Sequence, residues 1–246
     1  MSCPWFHVPS VPPPGSYVAL DRDEARHALG VRRLGAGDVV VVFDGCGSAA
    51  DAALTGERDR DGAPVVRVGA ARSVPRPEPD VVAGVAPPKG DRWSTALDML
   101  GQLGVRAVVP IDAEHGVVDA AGINRARAER ILLEAAKQSR AGWTCELGSH
   151  EGLAAFVARM VADGRAVFLA DQGEAPMPAA LPARVAFAVG PEGGFTADES
   201  AAAVAAGAVP VSIGSQVLRV ETAAVALASA LRARPLAGGA GVPHAG

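Results

Sequence analysis

From residue 81 onward the chain alternates short, uninterrupted apolar runs with amphipathic stretches, and this alternation limits the possible folds more than any other feature. Strands are predicted over 81–86, 107–111, 166–170, 185–189 and 209–213, and helices over 92–103, 124–138, 153–162, 197–206 and 222–233. A strand that is apolar at nearly every position must be covered on both faces, and helices between successive strands supply that cover. The expected class is therefore α/β with a parallel sheet. Residues 16–72 read differently, as short strands over 17–20, 39–43, 49–54 and 65–68 set between Gly, Asp and Pro clusters, with a helical stretch over 23–34. That pattern describes a small β domain. The run VPRPEPD over 74–80 reads as a linker of extended, semi-rigid backbone. The expected division is a β domain over 1–73, the linker over 74–80, an α/β domain over 81–236 and a loose tail over 237–246.

A chain of 246 residues with 49% hydrophobic and 20% charged residues has material for two cores and no sign of disorder. Its formal charge of −4 rules out a global basic field, so any nucleic-acid contact must use local patches. Residues 1–75 carry eight arginines against nine acids. Within them Arg26, Arg32 and Arg33 cluster with His27, and Arg125, Arg127, Arg130, Lys137 and Arg140 offer a second patch; solvated helix faces explain both nearly as well. Cys3, Cys46 and Cys145 are too dispersed for a zinc site and fit reduced thiols, so no metal is expected. Residues 1–15 are proline-rich, without the basic start or apolar segment of a signal peptide, and no run approaches the ~20 apolar residues of a membrane helix. A cytoplasmic location without membrane contact is expected.

Chemistry is written in two glycine turns. In VAFAVGPEGGFTADE, over 185–199, an apolar strand stops at Gly190, a Gly-Pro-Glu-Gly-Gly turn follows, and Thr196 with Glu199 makes a capping box for the next helix. Ligands of parallel sheets bind at such strand ends, where glycine lets them approach the backbone. The segment lacks the residues of both the dinucleotide fingerprint and the phosphate loop. A tight turn without a ligand remains an alternative on this segment alone. The second segment, SIGSQVLRVETAA over 212–224, also leaves a strand, turns at Gly214-Ser215 and enters an alanine-rich helix. Two such turns on neighbouring strands suit the walls of an adenosine pocket. Glu192 reads either as a partner for a cation or as a surface residue. Arg219 reads either as a fixed cation at the pocket or as an ion-pair partner of Glu221 or another carboxylate.

Gly190-Pro191-Glu192-Gly193-Gly194-Phe195 with Glu199, followed by Ile213-Gly214, Val217-Leu218-Arg219 and Glu221-Thr222-Ala223, resembles the RsmE-type family of 16S ribosomal RNA uridine-N3 methyltransferases, members of the trefoil-knotted SPOUT superfamily. His27 with Val31-Arg32-Arg33, and Phe43-Asp44-Gly45, resemble that family's PUA-like RNA-binding β-barrel. Lys89, Leu103-Gly104-Val105 and residues 134–139 resemble its middle. The resemblance implies a knotted, S-adenosylmethionine-dependent homodimer with an active site shared between subunits. It implies ribosomal RNA or the small ribosomal subunit as partner, with uridine 1498 the family's target. It points to Leu169, Ala170, Gly190, Pro191, Glu192, Gly193, Ile213, Gly214, Gln216, Val217 and Leu218 for the cofactor. Arg219 and Glu192 follow as catalytic, and Arg26, Arg32, Arg33, Lys137, Gln138 and Arg140 as RNA-facing.

The chain departs from the family pattern at Gln102, where an acid is usual, at His115, where an arginine is usual, and at Ala141, Trp143 and Cys145, where basic residues and a proline are usual. The cofactor motifs are whole and the RNA-facing ones thinned. A diverged knotted methyltransferase of a small molecule or another RNA, or a non-catalytic RNA-binding protein, are the alternatives at this point.

Overall fold

The computed structural model describes residues 3–31, 33–173 and 175–237. It separates into two compact units, one of Met1–Arg76 with Leu133–Thr144, the other of Pro77–Leu132 with Cys145–Gly246.

The first unit holds β1 (Trp5–His7), β2 (Tyr17–Ala19), a short α1 (Arg22–Ala25), β3 (Val39–Phe43), β4 (Ser48–Arg58) and β5 (Pro64–Ser73). Their sheet runs β1-β3-β4-β5-β2. Asp21 caps α1 by accepting from the Asp23 and Glu24 N–H groups, both at 2.9 Å. The backbone then widens into a π-helical turn over Arg26–Val31 where one continuous helix was expected. β1 was not foreseen; it pairs parallel with β3, Trp5 opposite Val41. β3 is a continuous apolar run because both its faces are buried. Val40 and Val42 meet Phe6, Leu20, Leu54 and Val66, while Val41 and Phe43 meet Ala136, Leu133 and Ala141.

The second unit holds β6 (Asp80–Val85), α2 (Asp91–Gln102), β7 (Ala107–Asp112), α3 (Arg125–Ser139), β8 (Glu146–Leu147), β9 (Glu151–Gly152), α4 (Leu153–Ala162), β10 (Ala166–Ala170), β11 (Arg184–Val189), α5 (Ala197–Ala205), β12 (Ala208–Val211) and α6 (Val220–Arg232). Only residues up to Leu132 of α3 count with this unit. The sheet order is β12-β10-β11-β6-β7-β8, every pairing parallel, with β9 joined to β7. Its central strands divide by parity, as a pleated strand must. Val81, Ala83, Val85, Val185, Phe187 and Val189 enter one core with Leu97, Leu100, Leu227 and Leu231, whereas Val82, Ala186 and Ala188 enter the other with Phe156, Val157 and Met160. Gly84 leaves room for the Phe156 ring, which a Cβ would approach to 2.9 Å.

Residues 74–79 are fastened where they join each unit. In the first unit the Val74 carbonyl accepts from Trp143 Nε1 at 2.8 Å; in the second, the Pro79 carbonyl accepts from Arg232 at 2.6 Å. Arg232 also donates to the Leu103 and Gly104 carbonyls, so the C-terminal ends of α2 and α6 lie together. The expected tail lies almost wholly outside the described residues, except Ala237, whose N–H donates to the Leu181 carbonyl at 2.7 Å. Among the described residues no helix is long and apolar enough to cross a membrane.

Candidate active site

β10, β11 and β12 are neighbours and parallel, so the loops leaving them gather at one edge of the sheet, where open α/β sheets bind ligands. There they enclose a cleft of about 700 Å³. Leu169 and Ala170 come from the end of β10, Gly190, Pro191 and Glu192 from the turn after β11, and Ile213, Gly214, Gln216, Val217 and Leu218 from the loop after β12. Every residue expected to hold the cofactor therefore lines one cleft, except Gly193. Gly193 faces the other way: a Cβ there would come within 3.2 Å of the His115 side chain.

The glycine turn is held from outside the cleft. Thr196 accepts from the Glu199 N–H at 3.2 Å and Glu199 Oε2 accepts from the Thr196 N–H at 2.8 Å, the capping box that the spacing predicts. The second Glu199 oxygen accepts from the Glu114 N–H at 2.9 Å, and His115 Nδ1 lies 3.3 Å from the Gly194 carbonyl. One carboxylate thus starts α5 and fastens the loop that follows β7. Glu192 reaches from the turn to α2, its Oε1 3.0 Å from Arg92 Nη1.

The cleft wall also brings in residues that pattern reading missed: Asp171 and Gln172 beyond β10, and Ser200 and Val204 on α5. Asp171 and Gln172 follow a predicted strand end directly, which was the available signal. Among the lining residues are two carboxylates, Asp171 and Glu192, and no lysine, arginine or histidine. Glu192 is ion-paired to Arg92, so Asp171 sets the sign of the wall, which disfavours a phosphate-bearing nucleotide and fits a cationic nucleoside with an apolar base. S-adenosylmethionine is of that chemistry, and the cleft volume falls in the usual ligand range of ~300–1,000 Å³.

Arg219 is the N-cap residue of α6, exposed, and outside the cleft wall. Among the described residues it makes no ion pair, so the pairing with Glu221 allowed by the sequence is not formed; Glu221 Oε2 is buried without a hydrogen-bond partner.

Of the residues expected to face RNA, Arg26, Arg33, Gln138 and Arg140 are exposed, and Arg32 lies outside the described residues. Lys137 requires correction. Its ammonium is 7% exposed and lies 2.8 Å from both Glu24 and Glu134. Burial acts to lower its pKa, but the two carboxylates outweigh burial and hold it above the ordinary lysine value. Burial raises the Glu24 carboxyl, against the pull of Lys137. The cause is α1: it buries Glu24, at 4% side-chain exposure, and a buried carboxylate needs a counter-charge. The second patch shrinks further, since Arg125 donates to the Gly148 and Leu147 carbonyls and Arg127 lies 3.4 Å from Asp91. Two departures from the family pattern are structural here: Trp143 stacks under Arg76 at 3.8 Å, and Cys145 is buried.

A PUA-like unit followed by a parallel sheet with this cleft defines an RNA methyltransferase, and residues 76–232 and 20–64 match the families described as RNA methyltransferase domain and RNA methyltransferase PUA domain. A curated relative from Mycobacterium bovis, ribosomal RNA small subunit methyltransferase E, is 33% identical over 89% of this chain and 87% of its own; the Synechocystis protein of the same name is 31% identical over 86% and 71%. The chain belongs to the ribosomal RNA small subunit methyltransferase E family. The crystal structure of the Neisseria gonorrhoeae enzyme of that name, bound to S-adenosyl methionine, superimposes with a TM-score of 0.84 at 27% identity, covering 94% of this chain and 97% of that one.

Proposed function

We propose that this protein transfers the methyl group of S-adenosylmethionine to N3 of a uridine in 16S ribosomal RNA, uridine 1498 being the family's target. The observation that carries this reading is the cation-free cleft at the ends of β10, β11 and β12, lined by ten residues expected from the family motifs: Leu169, Ala170, Gly190, Pro191, Glu192, Ile213, Gly214, Gln216, Val217 and Leu218. The bound cofactor supplies an electrophilic methyl carbon on a sulfonium. The apolar side chains of Leu169, Ile213 and Leu218 hold the adenine, and the strand-end backbone reads its edge. Arg219, without an ion pair among the described residues and next to the cleft wall in sequence, stabilises the uracil anion formed when N3–H ionises. The nitrogen lone pair then forms the new bond to carbon, and the carbon–sulfur bond breaks toward sulfur. The charge lost from sulfur is matched by the proton released from N3.

Arg26 in the first unit's helical turn, Arg33 just after it, Gln138 in the last turn of α3 and Arg140 just beyond that helix take the RNA backbone. The Glu24–Lys137 pair supports treating them as one surface, because it joins α1 to the end of α3 within that unit. A trefoil knot, a homodimer with a shared active site and a cytoplasmic location complete the reading. Incubating the protein with unmodified small subunits and labelled S-adenosylmethionine, then digesting the RNA for mass spectrometry, tests it. The expected product is 3-methyluridine at one position of 16S RNA. A labelled small molecule, another RNA species or no transfer would overturn it.

A further inference from the structure

We infer that Arg92 is a positioning residue of the methyl-transfer site, whose work is to orient Glu192 and cancel its charge where the cofactor's sulfonium is bound. The inference rests on reading the cleft as the S-adenosylmethionine site. Three observations carry it. First, Glu192 lines the cleft and has one ionic partner among the described residues, Arg92 at 3.0 Å, with both side chains about one-third exposed, at 36% and 37%. Second, the pair bridges two loops that leave the sheet side by side. β6 and β11 are paired in register to Val85 and Val189, the Ala86 N–H continues the ladder to the Val189 carbonyl at 2.9 Å, and α2 begins a few residues beyond β6. Third, Gly90, the N-cap of α2, offers no side-chain cap, Asp91 at the start of the helix is directed to Arg127 at 3.4 Å, and Arg92 in the same turn reaches Glu192 of the glycine turn.

The electrostatic consequence is specific. A free carboxylate in the cleft would favour the cationic sulfonium of the ground state over the transition state, in which that charge is being lost. It would tighten cofactor binding while slowing transfer. With a guanidinium at ion-pair distance the carboxylate keeps its place and contributes little net field. The wall otherwise carries one carboxylate, Asp171, and no cation among its lining residues, so nothing in the wall substitutes for Arg92.

The test compares two probes of nearly the same shape that differ in charge, S-adenosylmethionine and its neutral product S-adenosylhomocysteine. Their dissociation constants are measured by calorimetry for wild type, Arg92→Ala, Arg92→Met, Glu192→Gln and the Arg92→Ala/Glu192→Gln double variant. Both Arg92 variants are expected to raise the preference for the cationic probe by about tenfold, the size of a unit-charge interaction across a partly screened cleft. The double variant should return to the preference of Glu192→Gln alone. In single-turnover assays, kcat and the KM for S-adenosylmethionine should fall together in Arg92→Ala, and Arg92→Lys should restore both. Arg92→Met keeps the side-chain stem and covers failure of the alanine variant to fold. An unchanged preference in variants that bind, or equal weakening of both probes together with a lower Tm, would reduce Arg92 to a brace for the turn and overturn the inference. If wild type binds neither probe, the cofactor reading falls and the inference with it.

Discussion

Two glycines of the cleft wall adopt different backbone conformations, and substitution should separate them. Gly194 has φ +74 and Gly214 φ +150, and at neither does an added Cβ meet an atom within 4 Å. Steric clash with neighbours is therefore absent, and the cost of a side chain lies in the backbone alone. At Gly194 the left-handed region costs an ordinary residue about 1–2 kcal/mol, and asparagine visits it more readily than alanine. At Gly214 the angle lies well beyond that region, so asparagine has no advantage, and strain of about 1–3 kcal/mol is expected for either residue. Relief of that strain by the loop would displace Ile213, Gly214, Gln216, Val217 and Leu218, which line the cleft. A strain near 2 kcal/mol, at about 1.4 kcal/mol per factor of ten, weakens the cofactor about thirtyfold. Gly214→Ala and Gly214→Asn should each lose about ten- to hundredfold in S-adenosylmethionine affinity by calorimetry, whereas Gly194→Asn should retain more Tm than Gly194→Ala. Wild-type affinity and Tm in Gly214→Ala, or rescue by asparagine at 214 as well as at 194, would refute the reasoning.

Arg219→Ala removes an exposed side chain without an ion pair among the described residues, so stability should stay within about 0.5 kcal/mol of wild type, while single-turnover methylation falls about 10²- to 10³-fold. Arg219→Lys should recover only part, and wild-type turnover in the alanine variant would remove Arg219 from catalysis. Lys137→Met leaves Glu24 buried without its counter-charge and should cost about 3–5 kcal/mol in urea unfolding; a loss under 1 kcal/mol would mean that the site admits water. Asp163 is held below the ordinary carboxylate range by Arg184 and then Arg165. A depressed carboxyl contributes stability that is complete above its unfolded value, about 3.9, and is lost as pH falls through the lower folded value. Asp163→Asn should therefore lower Tm at neutral pH and flatten its decline below pH about 4; an unaltered acid limb would assign that limb to other groups.

The second unit was readable because its strands are covered on both faces. Val81–Val85 and Val185–Val189 show no polar alternation, and that signal does not depend on knowing which helix covers which face. The capping box at Thr196 and Glu199 was equally local. What failed was non-local. Lys137 looked like a solvated helix cation because its partner, Glu24, is remote in sequence, and no pattern on α3 announces it. β1 is three residues between prolines, with no turn or alternation to mark it, and β8 and β9 have two residues each. Gly193 was taken with the turn around it, but adjacent residues of a tight turn point in different directions and this one faces His115.

The wall of the cleft, with carboxylates at Asp171 and Glu192 and no basic lining residue, contrasts with the exposed arginines of the first unit, Arg26, Arg33 and Arg140. Counterion release makes phosphate contacts fall steeply with ionic strength, whereas a single cation held beside a few carboxylates loses only the screened part of one attraction. On the proposed function, salt is thus a dial that acts more on one ligand than on the other: raised ionic strength should weaken RNA binding at those arginines more steeply than it weakens cofactor binding in the cleft.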